Sequence, residues 1–115
     1  MSVMLQAHGT RLSYGDTGSG APLVLVHGSP AEGRAWGRVA KHLAPGLRLL
    51  TPDLPGYGAS DPLPPGVNGT AALAAAVGAL IASLEAPVWL AGHSYGGNVA
   101  LHAALSHQPN VRGLV

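Results

Sequence analysis

No cysteine occurs among the 115 residues, which removes disulfides, thiolate metal sites and cysteine nucleophiles together and leaves the redox compartment open. Charge is scarce as well. Asp, Glu, Lys and Arg make up 10% of the chain, the formal net charge is +1, and the six Lys and Arg are scattered. Without a basic patch, nucleic acid and anionic lipid are excluded as partners. No apolar run reaches membrane length: Ala71 to Leu84 is about 14 residues against the roughly 20 needed to cross a bilayer, and reads as a buried helix. Met1 to His8 lacks the basic start and apolar core of a secretory signal, so a cytoplasmic location is expected. There is no Walker lysine, and Gly15 to Gly20 does not spell G-x-G-x-x-G. His102 and His107 lie five apart without a third ligand, so no metal and no cofactor is implied.

Glycine, by contrast, is abundant at 17 residues, and two of these flank a serine in Ala91-Gly92-His93-Ser94-Tyr95-Gly96-Gly97. Upstream, Pro87-Val88-Trp89-Leu90 is short, apolar and led in by proline, as in a buried strand. Downstream, Asn98 to His107 carries helix formers and no proline. A strand therefore turns sharply into a helix around Ser94. In such a turn one residue takes a strained backbone, and strand and helix pass very close. Gly92 and Gly96 remove the Cβ atoms that would collide, and Ser94 at the apex is pushed clear of the sheet with its hydroxyl free to meet a substrate. The amides that open the helix sit at the positive end of its dipole, which suits a developing oxyanion. The pattern G-x-S-x-G arises by chance roughly 0.2 times in a chain of this composition, so the strand before it and the helix after it carry the reading.

A length of 115 residues allows one small domain, short for an enzyme with a multi-layered parallel sheet. Val3 to Ala7 and Arg11 to Tyr14 read as a hairpin turning at His8-Gly9-Thr10, followed by a Gly-rich loop over 15–20. Pro22 to Val26 is an unbroken apolar run, as in a strand buried on both faces. Glu32 to Ala44 spaces Trp36, Val39, Ala40 and Leu43 along one helical face and stops at Pro45-Gly46. Leu47 to Thr51 is the next strand, and the proline- and glycine-rich stretch to Gly69 is irregular. Thr70 is positioned to cap a helix to Glu85, Pro87 opens the strand before Ser94, a helix runs from Tyr95 to His107, and Val111 to Val115 begins another strand. Alternating strands and helices from Pro22 onward predict a parallel sheet with right-handed crossovers. There is no internal repeat and no linker.

Three motifs now coincide in order: His27-Gly28-Ser29-Pro30 after one strand, Asp53-Leu54-Pro55-Gly56-Tyr57-Gly58-Ala59-Ser60 after the next, and Gly92-His93-Ser94-Tyr95-Gly96-Gly97 after the third. Together they resemble the α/β-hydrolase superfamily over nearly the whole chain, which is similar to the N-terminal half of such an enzyme. The resemblance implies an α/β fold, a mostly parallel sheet with helices on both faces, truncated before the last strands, so that residues 1–115 form a single partial domain. It implies that Ser94 is the nucleophile and that the amides of Tyr95 and Ser29 hold the oxyanion. Serine at the apex sets the chain apart from the dehalogenases and epoxide hydrolases of the superfamily, which carry aspartate there. His27 is read as supporting its turn, and His93, adjacent to Ser94 on a tight turn, as diverging from it. Asp53 is read as organising its own loop through nearby backbone N–H groups.

A serine hydroxyl is a poor nucleophile without a base, and the base needs an orienting carboxylate. In the superfamily both follow the serine, acid before histidine, beyond the point reached by Val115. His102 stands about 12 Å of axial rise along the helix from the turn, out of hydrogen-bonding reach. Truncation of a longer chain is the expected account, and an apolar C-terminal strand would then be an exposed edge for a completing chain or a homo-oligomer. The expected partner is a small-molecule acyl substrate. Two other readings stand beside this one: a non-catalytic binding module or pseudoenzyme that keeps the pocket, and an aspartic protease dimer built on Asp16-Thr17-Gly18-Ser19. The latter is opposed by a poor buried strand leading into the motif and by the helix-rich remainder.

Overall fold

Among the described residues, six strands assemble into one sheet. The computed structural model describes residues 2–43, 45–106 and 108–115. Its strands are β1 Ser2–Ala7, β2 Thr10–Gly18, β3 Ala21–Val26, β4 Leu47–Pro52, β5 Val88–Gly92 and β6 Val111–Leu114. In the sheet order β1-β2-β4-β3-β5-β6, β1–β2 and β2–β4 are antiparallel pairs, and β4–β3, β3–β5 and β5–β6 are parallel pairs. The mostly parallel part is thus the half that carries the His27 and Ser94 turns, because each of its strands is joined to the next by a crossover.

Side-chain alternation sorts the sheet into two faces. Val24 and Val26 of β3, Leu50 of β4, and Val88 and Leu90 of β5 are fully buried in one core with Leu12 and Tyr14. Helices α2 (Thr70–Ser83) and α3 (Tyr95–Ser106) pack on each other and close this face. α2 contributes Leu73, Ala74, Ala76, Val77, Leu80 and Ile81 to this core. Each fully buried leucine or valine contributes about 1.5–3 kcal/mol from apolar burial. The opposite face, marked by Leu25 and Leu49, is covered by a 3-10 turn at Gly33–Trp36 that lies against β2, β3 and β4 and runs into α1 (Gly37–Ala40). β3 is therefore buried on both faces as expected. Trp89 of β5 points to this thinner side and stays 41% exposed, so β5 is buried on one face only.

Four expectations are corrected. The strand read at Arg11 to Tyr14 extends to Gly18, because Tyr14 to Gly18 pair with Pro52 to Arg48 of β4. Asp16 and Arg48, diagonal neighbours across that pairing, form a bidentate ion pair with oxygens 2.9 and 2.7 Å from the guanidinium. This also answers the aspartic protease reading, since the motif carboxylate is spent on an arginine within a mixed α/β sheet. The helix read over 32–44 is only a 3-10 turn running directly into one α-turn, from Gly33 to Ala40; Ala44 lies outside the described residues. Thr70 is the first residue of α2 rather than its cap: Gly69, at φ 94°, occupies the cap, and the Thr70 hydroxyl bonds the Tyr95 hydroxyl at 2.8 Å. α2 ends at Ser83, two residues before Glu85, which has φ 55°. The end expected for α3 at His107 is outside the described residues, and α3 runs to Ser106. Among the described residues no helix is long and apolar enough to cross a membrane.

Candidate active site

The last turn of β5 and the first of α3 are separated by two residues. His93 N–H donates to Val26 O at 3.1 Å, so the chain is still held to β3 one residue past the end of β5. Gly96 N–H then donates to His93 O at 3.0 Å and Gly97 N–H to Ser94 O at 2.9 Å, closing the first helical turn. Between them Ser94 takes φ 58°, the left-handed conformation that costs a non-glycine residue about 1–3 kcal/mol. Its surroundings impose it. A Cβ on Gly92 would strike the backbone of Gly96 and Gly97, and one on Gly96 would strike the carbonyl oxygens of Val26 and His27. The two glycines therefore do what the sequence pattern requires, and Ser94 stands exposed at the apex, at the positive end of α3.

The turn after β3 meets it. A Cβ on Gly28 would lie 3.2 Å from the Ser94 Cβ, so the chain at residue 28 abuts the serine. Ser29 and Ser94 line one cavity of about 430 Å³. Ala31, Ala35, Trp36 and Val39 form its apolar wall, and among the described residues no Asp, Glu, Lys or Arg lines it. Two of the four residues of the expected apolar face point here. Trp36 and Val39 face a cavity instead of the core, which leaves Val39 43% exposed. Trp36 Nε1 is buried without a hydrogen-bond partner among the described residues. Tyr95 is placed differently from Ser29 and Ser94. Its side chain turns to Thr70 and lines no part of the cavity, and as the first residue of α3 its N–H has no intrahelical carbonyl to bond.

The remaining sequence candidates are structural. His27 is 1% exposed; its Nε2 accepts the Leu54 N–H at 2.9 Å, so Nδ1 carries the proton and donates to Gly28 O at 2.7 Å. Both ring nitrogens are committed, as a turn-supporting role requires. Asp53 organises its loop and reaches further than its own segment. Oδ2 accepts Ala59 N–H at 3.0 Å, and Oδ1 accepts Gly33 N–H at 2.7 Å from the turn beneath the cavity wall. The Ser60 hydroxyl donates to Asp53 O at 2.6 Å and accepts Ser13 N–H at 2.8 Å, tying the loop to β2. Tyr57, to which the sequence attached no role, places its hydroxyl 2.7 Å from Ser29 Oγ and its ring edge-on to His27, with centroids 5.4 Å apart. Its presence in the second motif was the only available signal.

Residues 23–115 match the model of the alpha/beta hydrolase family. The chain is 37% identical over 113 residues to a 2-hydroxymuconate semialdehyde hydrolase of Pseudomonas sp. (strain CF600), covering 95% of this chain and 40% of that protein. It is 35% identical over 108 residues to a soluble epoxide hydrolase of Corynebacterium sp. (strain C12), covering 93% and 37%. The structure of a thermophilic esterase from Thermogutta terrifontis superposes with a TM-score of 0.86 at 32% identity, over 99% of this chain and 44% of that one. The chain thus spans about two fifths of the length of the relatives it matches. A sheet ordered around β3, a serine forced into the left-handed region between β5 and α3, and a family match over most of the sequence lead to one conclusion: this chain belongs to the alpha/beta hydrolase family.

Proposed function

We propose that this chain carries the nucleophile of a serine hydrolase that acts on an ester or related acyl carbonyl. The observation that carries the reading is Ser94 at φ 58° on the strand-to-helix turn, facing the same cavity as Ser29. In this reading Ser94 Oγ adds to the acyl carbon, its proton passes to a base, and the carbonyl oxygen becomes negative between the amides of Ser29 and Tyr95. Collapse breaks the bond to the leaving alcohol, which takes the proton back. Water then releases the acid by the same steps in reverse order. The neutral, apolar wall of Ala31, Ala35, Trp36 and Val39 suits an uncharged acyl group.

The base and its carboxylate are not supplied by the residues described. His27 has both nitrogens bonded, His93 adjoins Ser94 on the turn, and His102 lies two turns along α3. In this reading both partners follow later in the chain, acid before histidine. The commitment of His27 equally favours a second reading, a binding module that keeps the cavity without turnover. Intact mass after exposure to a fluorophosphonate separates the two. The proteins compared are the parent and Ser94→Ala, at the full length their gene encodes. One adduct on the parent and none on the variant is expected. An unlabelled parent selects the binding module, and a labelled Ser94→Ala protein overturns the nucleophile.

A further inference from the structure

Ser29 Oγ and Tyr57 Oη are 2.7 Å apart. A hydrogen bond between two hydroxyls consumes one hydrogen and leaves one over. A phenol is the stronger donor and an aliphatic hydroxyl the better acceptor, so Tyr57 donates and Ser29 keeps its hydrogen. A hydroxyl that accepts in this way also donates more strongly.

Tyr57 is well held for this task. Its ring meets His27 edge-on and packs, partly buried, against the core; its N–H donates to Leu54 O at 2.9 Å, and its carbonyl accepts Ser60 N–H at 3.1 Å. The loop carrying it is pinned in turn by Asp53 and Ser60. Ser29, by contrast, is exposed on the cavity that Ser94 shares, one residue after the glycine that abuts Ser94. A fixed phenol thus sets the rotamer of a serine hydroxyl beside the nucleophile.

We propose that the Ser29 hydroxyl, aimed by Tyr57, donates a third hydrogen bond to the oxygen that becomes negative when Ser94 adds to the acyl carbon. This rests on the function proposed above. Ser29 then acts through both its amide and its side chain, and Tyr57 is a positioning residue that acts through Ser29. The role of Ser29 is no longer confined to its backbone, and alanine at this position is not a neutral replacement.

The test uses the full-length protein, with hydrolysis of p-nitrophenyl butyrate and the rate of phosphonylation by a fluorophosphonate as readouts. In the second reaction the Ser94 O–P bond forms, the P–F bond breaks, fluoride leaves and the serine proton goes to the base, so a phosphoryl oxygen occupies the place of the carbonyl oxygen. Ser29→Ala is expected to lower kcat on the order of 10²-fold with little change in KM, the usual effect of removing one such donor. Ser29→Thr, which keeps the hydroxyl, restores most of it. Tyr57→Phe keeps the ring against His27 and is expected to lower kcat about tenfold, and to cost nothing further in the Ser29→Ala background. Phosphonylation follows the same order. Unchanged kcat in Ser29→Ala overturns the third donor. A Tyr57→Phe loss that persists in the Ser29→Ala background overturns the action of Tyr57 through Ser29. A parent protein that neither turns over nor labels, or a Ser94→Ala protein that labels, overturns the proposed function and this inference with it.

Discussion

Gly96 of α3 and Val26 of β3 are in backbone contact, with no room for a Cβ between them, whereas a Cβ on Gly97, one residue later, would meet nothing closer than Gly92 O at 3.6 Å. This contact draws the first turn of α3 over the end of β3 and sets Ser94 beside Gly28. Two adjacent glycines therefore answer to different constraints. Gly96→Ala is expected to lose about 1–3 kcal/mol or more of stability through overpacking against backbone that cannot yield. Gly97→Ala is expected to fall within about 1 kcal/mol of the parent, since alanine in a helix is favoured over glycine. Urea unfolding of both variants checks this, and equal midpoints would show that α3 is not seated on β3 as described.

Asp53 joins two separate segments next to the site. Its carboxylate holds Gly33 N–H, beneath the apolar wall, and Ala59 N–H, in the loop that carries Tyr57. Hydrogen bonds to a charged acceptor contribute about 1.5–3 kcal/mol each, and loss of the acceptor also leaves the partly buried Gly33 N–H unpaired. Asp53→Ala is expected to lower the unfolding free energy by about 2–4 kcal/mol. Faster amide exchange at Gly33 and Ala59 than at Leu54 should accompany it. A variant as stable as the parent would assign those amides other partners.

The sheet, α3 and the Ser94 turn were legible in the sequence because their signals are local. Apolar runs at Pro22 to Val26 and Leu47 to Thr51 have one reading, and the Gly92–Gly96 spacing states a steric demand that the structure meets. Residues 32–44 were misread for the converse reason. Spacing reports that Trp36 and Val39 share a face, but it cannot say whether that face meets a core or a cavity. Tyr57 was invisible as a partner of Ser29 because the pair is 28 residues apart and only the Asp53 loop brings the hydroxyls together. Thr70 carried a cap signal, but its hydroxyl is drawn to Tyr95, 25 residues away. Long-range side-chain bonds of this kind leave no periodic trace.

The Asp16–Arg48 pair makes a prediction about acid. The Arg48 guanidinium, by hydrogen bonding first and charge second, holds the Asp16 carboxyl below its ordinary value, despite an opposing effect of burial. A carboxyl depressed in the folded state adds stability above its unfolded pKa of about 3.9 and loses it as pH falls through the folded value. The Arg48 and Asp16 side chains are 35% and 21% exposed, so solvent screening limits the contribution to about 1 kcal/mol or less. Asp16→Asn is expected to lower the urea midpoint slightly at pH 7 and to converge on the parent near pH 2–3. A difference that persists unchanged into acid would mean that Asp16 acts through packing rather than charge.

His27 offers the sharpest separation between a base and a support. With Nε2 accepting from Leu54 and Nδ1 donating to Gly28, it has no lone pair for a substrate proton, and it is fully enclosed. His27→Ala leaves both backbone groups unpaired in the interior and is expected to cost about 2–5 kcal/mol. His27→Gln can return an amide oxygen to Leu54 but takes up no proton near neutrality, and is expected to recover part of that stability. Under the proposed function the acid limb of the kcat/KM profile belongs to a histidine elsewhere in the full-length protein. Both variants therefore keep the limb at the parent midpoint while kcat falls, because the Gly28–Ser29 turn shifts against Ser94. Disappearance of the limb in His27→Gln, with the fold intact by circular dichroism, would make His27 the base and require its two backbone bonds to break during turnover.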